Sequence, residues 1–273
     1  MSSYPRISSF IYAVFLALLT ALLPACGDSG SAPKKITVAT DATLVPMSFM
    51  NDQGQIDGFD RALMEAIAKE AGMQIEMVNV EWAGLLGGLT TGKYDAAISS
   101  ITILEERKKK MGFSIPYLKS GLAIVVRKET EGIATMDDLL KNNMMVGAQR
   151  GTTAYFFLND HPAIRNVGYE SYGHAVQDLI KGELDAVIGE STGTLYYKNK
   201  DKPVFEKIKM AGEILTDEYY GIAVRPDKPA LIQTINKALN NLLANGTVER
   251  LHQQWDLGQA AVIPATGEQP TAG

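Results

Sequence analysis

Cysteine is nearly absent from this chain of 273 residues: Cys26 is its only one, so the residues beyond it have no disulfide framework and no thiol chemistry. Histidine is scarce as well. His161, His174 and His252 form no cluster, and neither H-E-x-x-H nor paired cysteines occur, so nothing in the pattern asks for a metal or another cofactor. Positive charge falls short of negative, with 26 Lys and Arg against 31 Asp and Glu and a net formal charge of -5. The triplet Lys108-Lys109-Lys110 is too short to make a basic face, which argues against nucleic acid as a partner. Long apolar runs are missing after the first 26 residues, and no later segment is long enough to span a bilayer. At 46% hydrophobic the chain has ample material for a core, in one large domain or two of about a hundred residues.

The exception to that shortage lies at the N-terminus. Arg6 precedes an almost unbroken apolar run from Phe10 to Leu23, followed at once by Pro24-Ala25-Cys26. The run has the length of a signal-peptide core and is short for a membrane span. Cys26 follows a small residue and has a leucine three positions upstream, which resembles a bacterial lipoprotein processing site. That resemblance implies a leader and lipobox over 1–26, with Cys26 as the lipid-modified first residue of the mature protein. An ordinary cleaved signal and an uncleaved anchor are the other readings, and all three export the remainder. Residues 27–35 are small and polar and read as a flexible tether, and 258–273 read as a disordered tail.

Between these ends, short apolar runs alternate with helical patterns, which predicts α/β construction. Ile36–Ala39 reads as a strand, Phe59–Ala71 as an amphipathic helix closed by Gly72, Gln74–Val80 as a strand and Ala83–Thr91 as a short helix. The chain then repeats itself. Thr91-Gly92-Lys93-Tyr94-Asp95-Ala96-Ala97-Ile98 recurs about ninety residues later as Lys181-Gly182-Glu183-Leu184-Asp185-Ala186-Val187-Ile188. In each copy a helix stops at Gly, a tight turn carries an Asp, and a buried strand follows. Asp95 and Asp185 read as turn residues. The strands aim their C-terminal ends at Ser99-Ser100 and at Gly189-Glu190, where open α/β sheets hold ligands, so two similar lobes facing each other predict a cleft.

An ordered set of motifs then becomes recognisable: Val38-Ala39-Thr40-Asp41-Ala42, Gly58-Phe59-Asp60, Gly92-Lys93-Tyr94-Asp95-Ala96, Ile101-Thr102 with Glu106-Arg107, Phe113-Ser114-Ile115-Pro116-Tyr117, Gly151-Thr152-Thr153 and Tyr219-Tyr220-Gly221-Ile222-Ala223. From about Ile36 to Leu257 the chain resembles the family 3 solute-binding proteins, periplasmic amino-acid-binding components of ABC importers. The resemblance implies a periplasmic-binding-protein-like α/β fold. Two lobes with mixed sheets are joined by two crossing hinge strands and close on the ligand. Lobe 1 would be 36–118 plus 219–257, and lobe 2 would be 119–218. It further implies a monomer outside the cytoplasm that delivers a polar amino acid to a permease and touches the membrane only through its lipid anchor.

Site roles follow from the same resemblance, position by position. Arg107 would grip the ligand α-carboxylate through two parallel hydrogen bonds. On spacing alone it is one more solvated charge in Glu105–Lys110. Ser99, Ser100, Thr102, Thr152 and Thr153 would add hydroxyl or backbone donors, while Thr152 and Thr153 could equally cap the helix beginning near Ala154. Glu190 would accept from the ligand ammonium, although the family usually has Asp there. Asp41 would face a polar end of the ligand side chain or serve as a turn residue, and Trp82 would pack on the ligand or belong to the core. Gln149 sits where relatives discriminate side chains. Leu44-Val45-Pro46-Met47 departs from the family's aromatic-x-Pro-Phe, which removes a stacking surface worth on the order of 1 kcal/mol.

Catalytic readings compete with these. Gly189-Glu190-Ser191-Thr192-Gly193 matches G-x-S-x-G, and Asp217 or Asp227 followed by His252 gives the order of α/β-hydrolases. Against it, the repeated copy reads Ser-Ser-Ile-Thr, no HGGG segment exists, and His252 lies in a helical run, Val248–Trp255. Gly87 to Gly92-Lys93 imitates a phosphate loop but ends in Tyr94 rather than Ser or Thr. The fold is also shared by cyclohexadienyl dehydratases, in which a desolvated cleft carboxylate such as Glu190 would act as a general acid. Binding without catalysis is the expected function.

Overall fold

A strand covered on both faces cannot alternate polar with apolar, and Ile36, Val38, Ala39 and Thr40 of the first strand, β1 (Lys35–Thr40), are all buried. The computed structural model describes residues 35–195, 202–265 and 267–268. The expected leader with Cys26, the tether up to Lys34 and the final residues lie outside the described residues. A small antiparallel unit follows β1, made of β2 (Thr43–Leu44), β3 (Ser48–Met50) and β4 (Ile56–Asp57). Helix α1 (Phe59–Glu70) then buries Phe59, Leu63, Met64 and Ile67, the face that the helical period predicts. Truncating any of these to Ala costs roughly 2–5 kcal/mol.

β5 (Gln74–Asn79) returns parallel to β1, α2 (Trp82–Thr90) covers the opposite face of the sheet, and β6 (Ala96–Ala97) pairs parallel to β1 on its other side. After the one-turn helix α3 (Glu105–Lys108) come β7 (Gly112–Phe113) and β8 (Leu118–Ser120). The chain then builds a second sheet from β9 (Leu122–Arg127), β10 (Met145–Gln149), β11 (Arg165–Tyr169), β12 (Ala186–Glu190) and β13 (Ile208–Ala211). Its helices include α4 (Met136–Lys141), α5 (Thr153–Asn159), α6 (Tyr172–Lys181) and α7 (Lys202–Phe205). β14 (Glu218–Tyr220) leads back to β15 (Ala223–Val224) in the first sheet, and α8 (Pro229–Ala244) and α9 (Thr247–Gln254) complete it.

The two five-stranded sheets have one plan. Their orders are β5-β1-β6-β15-β7 and β11-β10-β12-β9-β13, each with three parallel strands followed by antiparallel partners. The sequence repeat is the turn that sets this plan. Asp95 Oδ2 accepts from Thr37 N at 3.0 Å, and Asp95 N donates to Thr37 O at 2.9 Å. Asp185 repeats both bonds with Met145, at 2.8 and 2.9 Å. Gly92 and Gly182, at φ +78° and +84°, let the preceding helix end in the left-handed conformation. Both aspartates are therefore turn residues that register one strand against its parallel neighbour.

The sheets are joined by the antiparallel pair β8 and β14, with Glu218 opposite Ser120 and Tyr220 opposite Leu118. Gly121 permits this close crossing, because a Cβ there would strike the Thr216 carbonyl. The C-terminal segment departs from the disordered tail expected of its composition. Val262 and Lys119 exchange two 2.7 Å backbone hydrogen bonds, Ala260 O accepts from Ser120 Oγ, and Ala261 is 1% exposed. Residues from Leu257 to Ala265 thus lie along the crossing strands, in a compact unit that starts at Lys35.

Asp60, in the first turn of α1, is fully buried beneath this junction. It accepts from Tyr117 Oη at 3.0 Å, Ser100 N at 3.1 Å and Ser48 Oγ at 3.3 Å. Burial pushes its carboxyl from the ordinary 3.8 up to about 7, with the three donors pulling the other way. The folded state therefore keeps a proton that the unfolded chain loses near pH 3.8, and stability from this group falls as pH rises from there to about 7. Asp60→Asn removes that loss. Urea denaturation at about pH 4 and about pH 8 should show the variant gaining on the parent with pH. A difference independent of pH contradicts the assignment.

Candidate functional site

The C-terminal ends of β1, β6, β10 and β12 converge on a cavity of about 50 Å³. Asp41, Thr43, Leu44, Trp82, Ser99, Ser100, Thr102 and Arg107 line it from the side of the first sheet, and Gln149, Thr152, Thr153 and Glu190 from the side of the second. All ten residues singled out as ligand-binding candidates from the sequence line this one cavity. The parallel plan explains the convergence, since loops at the carboxyl ends of parallel strands open outward on one edge. Among the described residues no group of three His, Cys, Asp or Glu is placed to hold a metal.

Arg107 sits on α3 and is 8% exposed, unlike its charged neighbours. Lys108 pairs with Glu105 at 2.7 Å and Lys109 with Glu106, both on the open surface, so the rest of the run is solvated while Arg107 turns inward. Its Nη1 donates to Thr102 O at 2.9 Å and its Nη2 reaches Gly151 O at 3.5 Å, linking the two sides of the cavity. The guanidinium carbon lies 5.7 Å from the centroid of Trp82, whose ring backs it. Burial holds the guanidinium below its ordinary value, while Glu218 and then Glu190 act in the opposite direction. Two of five N–H donors point at carbonyls, which leaves a fork able to take a carboxylate.

The opposing charge comes from carboxylates. Glu190, half-buried at the end of β12, accepts from Thr153 Oγ1 at 3.2 Å and from Tyr220 Oη. Burial, reinforced by the like charge of Glu218, raises its carboxyl well above the ordinary value, against the pull of Tyr220, Thr153 and Arg107. Glu218 was not among the sequence candidates. It is 6% exposed on β14 and accepts from Thr102 Oγ1 at 2.6 Å and Thr153 Oγ1 at 3.0 Å. Asp41 is 7% exposed; burial raises its carboxyl, offset by contacts to Thr43, Gln149 and the Trp82 backbone. Gln149 also donates from Nε2 to Glu170 O at 3.0 Å, so its amide is oriented from outside the cavity.

The serines and threonines divide by use. Thr152 caps α5: its hydroxyl accepts from Tyr155 N at 3.3 Å and donates to Gln149 O at 2.7 Å, so its side chain is spent. Thr153, the first residue of α5, faces Glu190 and Glu218 instead. Ser99 Oγ accepts from Asp41 N at 3.0 Å and fixes the end of β1. Ser100 is the unusual one. It holds a left-handed backbone at φ +47°, and its buried hydroxyl makes no hydrogen bond of ordinary geometry, its polar neighbour Tyr117 being committed to Asp60. A strained non-glycine residue with an unmatched hydroxyl on a cavity wall is a local cost that a bound polar group would offset.

The hydrolase alternative loses its geometry. Ser191 is fully buried and its hydroxyl is held by Ser120 Oγ at 2.9 Å and by Ala260 O. His252 Nε2 is 2.7 Å from Ala261 O, and Asp227 is exposed and paired with Arg225. Ser191 and His252 both anchor the C-terminal segment.

A family model described as bacterial extracellular solute-binding proteins, family 3, matches residues 36–259. The chain is 34% identical over 244 residues to the ABC transporter arginine-binding protein 1 of Escherichia coli (strain K12), covering 87% of this chain and 97% of that protein. It is 32% identical over 266 residues to a probable histidine-binding protein of Neisseria gonorrhoeae, covering 91% and 97%. Among solved structures, an ancestral arginine-binding protein bound to arginine superposes with a TM-score of 0.76 at 33% identity, over 82% of this chain and 99% of that one. The ancestral amino acid-binding protein AncCDT-1, a precursor of cyclohexadienyl dehydratase, does so with a TM-score of 0.74 at 34% identity, over 81% and 95%.

Ser100→Gly separates strain from packing at this wall. Glycine accepts the positive φ and removes the unmatched hydroxyl, so the variant should be more stable than the parent in urea by about 1 kcal/mol. A variant less stable than the parent means that the Ser100 hydroxyl is paired in solution.

Proposed function

The chain belongs to the bacterial extracellular solute-binding proteins, family 3, and on that premise we propose that it captures a polar amino acid between its two lobes and passes it to an ABC importer. The observation that carries this reading is the opposition of Arg107 and Glu190, delivered by different sheets to one cavity. A zwitterion leaves water at little cost only when each end meets its own partner. Arg107 takes the α-carboxylate through its free fork and Glu190 takes the ammonium. Because the two grips stand on different sides, the ligand touches both only when the lobes are closed, and binding shifts the population toward closure. The extents proposed for the lobes are 36–118 with 219–257, and 119–218.

Among the described residues that line the cavity, Asp41 and Glu190 stand against Arg107, and Glu218 lies behind Thr102 and Thr153. That balance favours a ligand with a positively charged or strongly polar side chain, with Asp41 and Gln149 at its far end. L-arginine and L-histidine, named for the relatives, are the first ligands to test. A thermal-shift panel of the amino acids should single out one or a few by a raised melting point. Arg107→Ala should abolish that shift at the same ligand concentration; a retained shift puts the carboxylate elsewhere.

Glu190 also makes binding pH-dependent. Its carboxyl titrates above its ordinary value in the ligand-free cleft, and a bound ammonium lowers it again, so binding releases a proton and tightens as pH rises through that interval. Calorimetry in buffers of different ionisation enthalpy should detect the proton. Glu190→Gln should abolish its release and weaken binding, and an unchanged release assigns the proton to another group. The same desolvated carboxyl supports the second reading, a general acid in a dehydratase-like site, which AncCDT-1 brings within the range of the fold. We favour binding without turnover, so prephenate and arogenate should yield no product.

The protein acts outside the cytoplasm, and we propose that it is held at the membrane as a monomer through a lipid on Cys26. Cys26→Ser should move it from the membrane fraction to the soluble extracytoplasmic fraction. Continued membrane association would assign the anchor to the apolar run instead.

A further inference from the structure

Glu218 lies on a crossing strand, yet its carboxylate is bonded from both sides of the cleft. Its Oε2 accepts from Thr102 Oγ1 at 2.6 Å and from Thr153 Oγ1 at 3.0 Å, and its Oε1 accepts from Thr216 Oγ1 at 3.2 Å. Thr102 belongs to the first-lobe side, where it bridges to Tyr220, and Thr153 opens α5 on the second. A 6% exposed carboxylate is thus held by a hydroxyl from each side of the cleft, with Thr216, two residues before it, as a third donor.

A threonine hydroxyl carries a single proton. Thr102 gives its proton to Glu218. Thr153 divides its own between Glu218 and Glu190, at 3.0 and 3.2 Å. Neither proton is directed at the cavity, so both hydroxyls present lone pairs to a ligand. That orientation suits an ammonium and leaves the ligand carboxylate to Arg107. It departs from the donor role that the family resemblance suggests for Thr102 and Thr153.

We propose that Glu218 is a positioning residue, which fixes the Thr102 and Thr153 hydroxyls with their protons turned from the cleft and ties the two lobes together through them. The proposal rests on the amino-acid-binding reading for its effect on affinity, while the tie between lobes requires no ligand. A carboxylate that holds both hydroxyls can do so only when the lobes approach, so the cleft is partly drawn in before a ligand arrives.

Trp82 lines this cleft and Trp255 is the only other tryptophan, so a Trp255→Phe background makes Trp82 fluorescence a reporter of opening. Acrylamide quenching of ligand-free protein should increase in Glu218→Gln and in Thr153→Val. The double variant should quench no more than the stronger single one, because both changes break the same tie. Glu218→Gln should also weaken L-arginine binding about tenfold or more. Quenching unchanged in Glu218→Gln, or additive in the double variant, overturns the proposal. If Glu218→Gln does not fold, Thr153→Val alone must still raise quenching. If the parent binds no amino acid, the ligand reading fails while the quenching series still decides the role of Glu218.

Discussion

A guanidinium withdrawn from water beside a set of withdrawn carboxylates is the constraint on which the rest of this structure depends. Arg107 makes its hydrogen bonds to two carbonyls, and Glu190 and Glu218 are met by hydroxyls. The opposite charges therefore share a cavity while each keeps capacity for another partner. Closing such a cleft on nothing would leave charge poorly solvated; closing it on a molecule with a carboxylate and an ammonium satisfies both ends. The selectivity for amino acids proposed here is thus a consequence of electrostatics rather than of shape alone.

The fold delivers these groups by doubling one arrangement. Asp95 and Asp185 make the same pair of hydrogen bonds to Thr37 and Met145, so each mixed sheet sets its two central parallel strands in the same register. Crossing twice, at β8 and β14, turns the two carboxyl edges toward each other. Lobe closure needs this geometry, because two short strands offer a hinge while each lobe moves on its own core.

Local patterns exposed much of this. The repeated Gly-x-x-Asp turn gave away the two lobes because a left-handed glycine and a capping aspartate are needs of the backbone that few other residues meet. The residues that line the cavity were readable as a group because ordered family motifs fall at strand ends. Glu218 is not legible in the sequence, for a physical reason. It stands in a short segment rich in charge, Thr216-Asp217-Glu218, and nothing local distinguishes it from Asp217, which is exposed and reaches Lys119. Only its pairing opposite Ser120 turns it inward. Gly258 to Ala265 likewise has the composition of a tail, and its order comes from partners more than a hundred residues away, Lys119 and Ser120. Thr152 and Thr153 are adjacent, chemically alike and both on the cavity lining, and the start of α5 alone commits the Thr152 hydroxyl to capping and leaves the Thr153 hydroxyl to Glu190 and Glu218.

A crystal structure of the protein with a bound amino acid is the most direct measurement of the central claim. The account predicts the α-carboxylate on the Arg107 fork and the ammonium against Glu190, with Glu218 beneath Thr102 and Thr153. A ligand bound outside this cavity, or one with its ammonium turned toward Arg107, would contradict it.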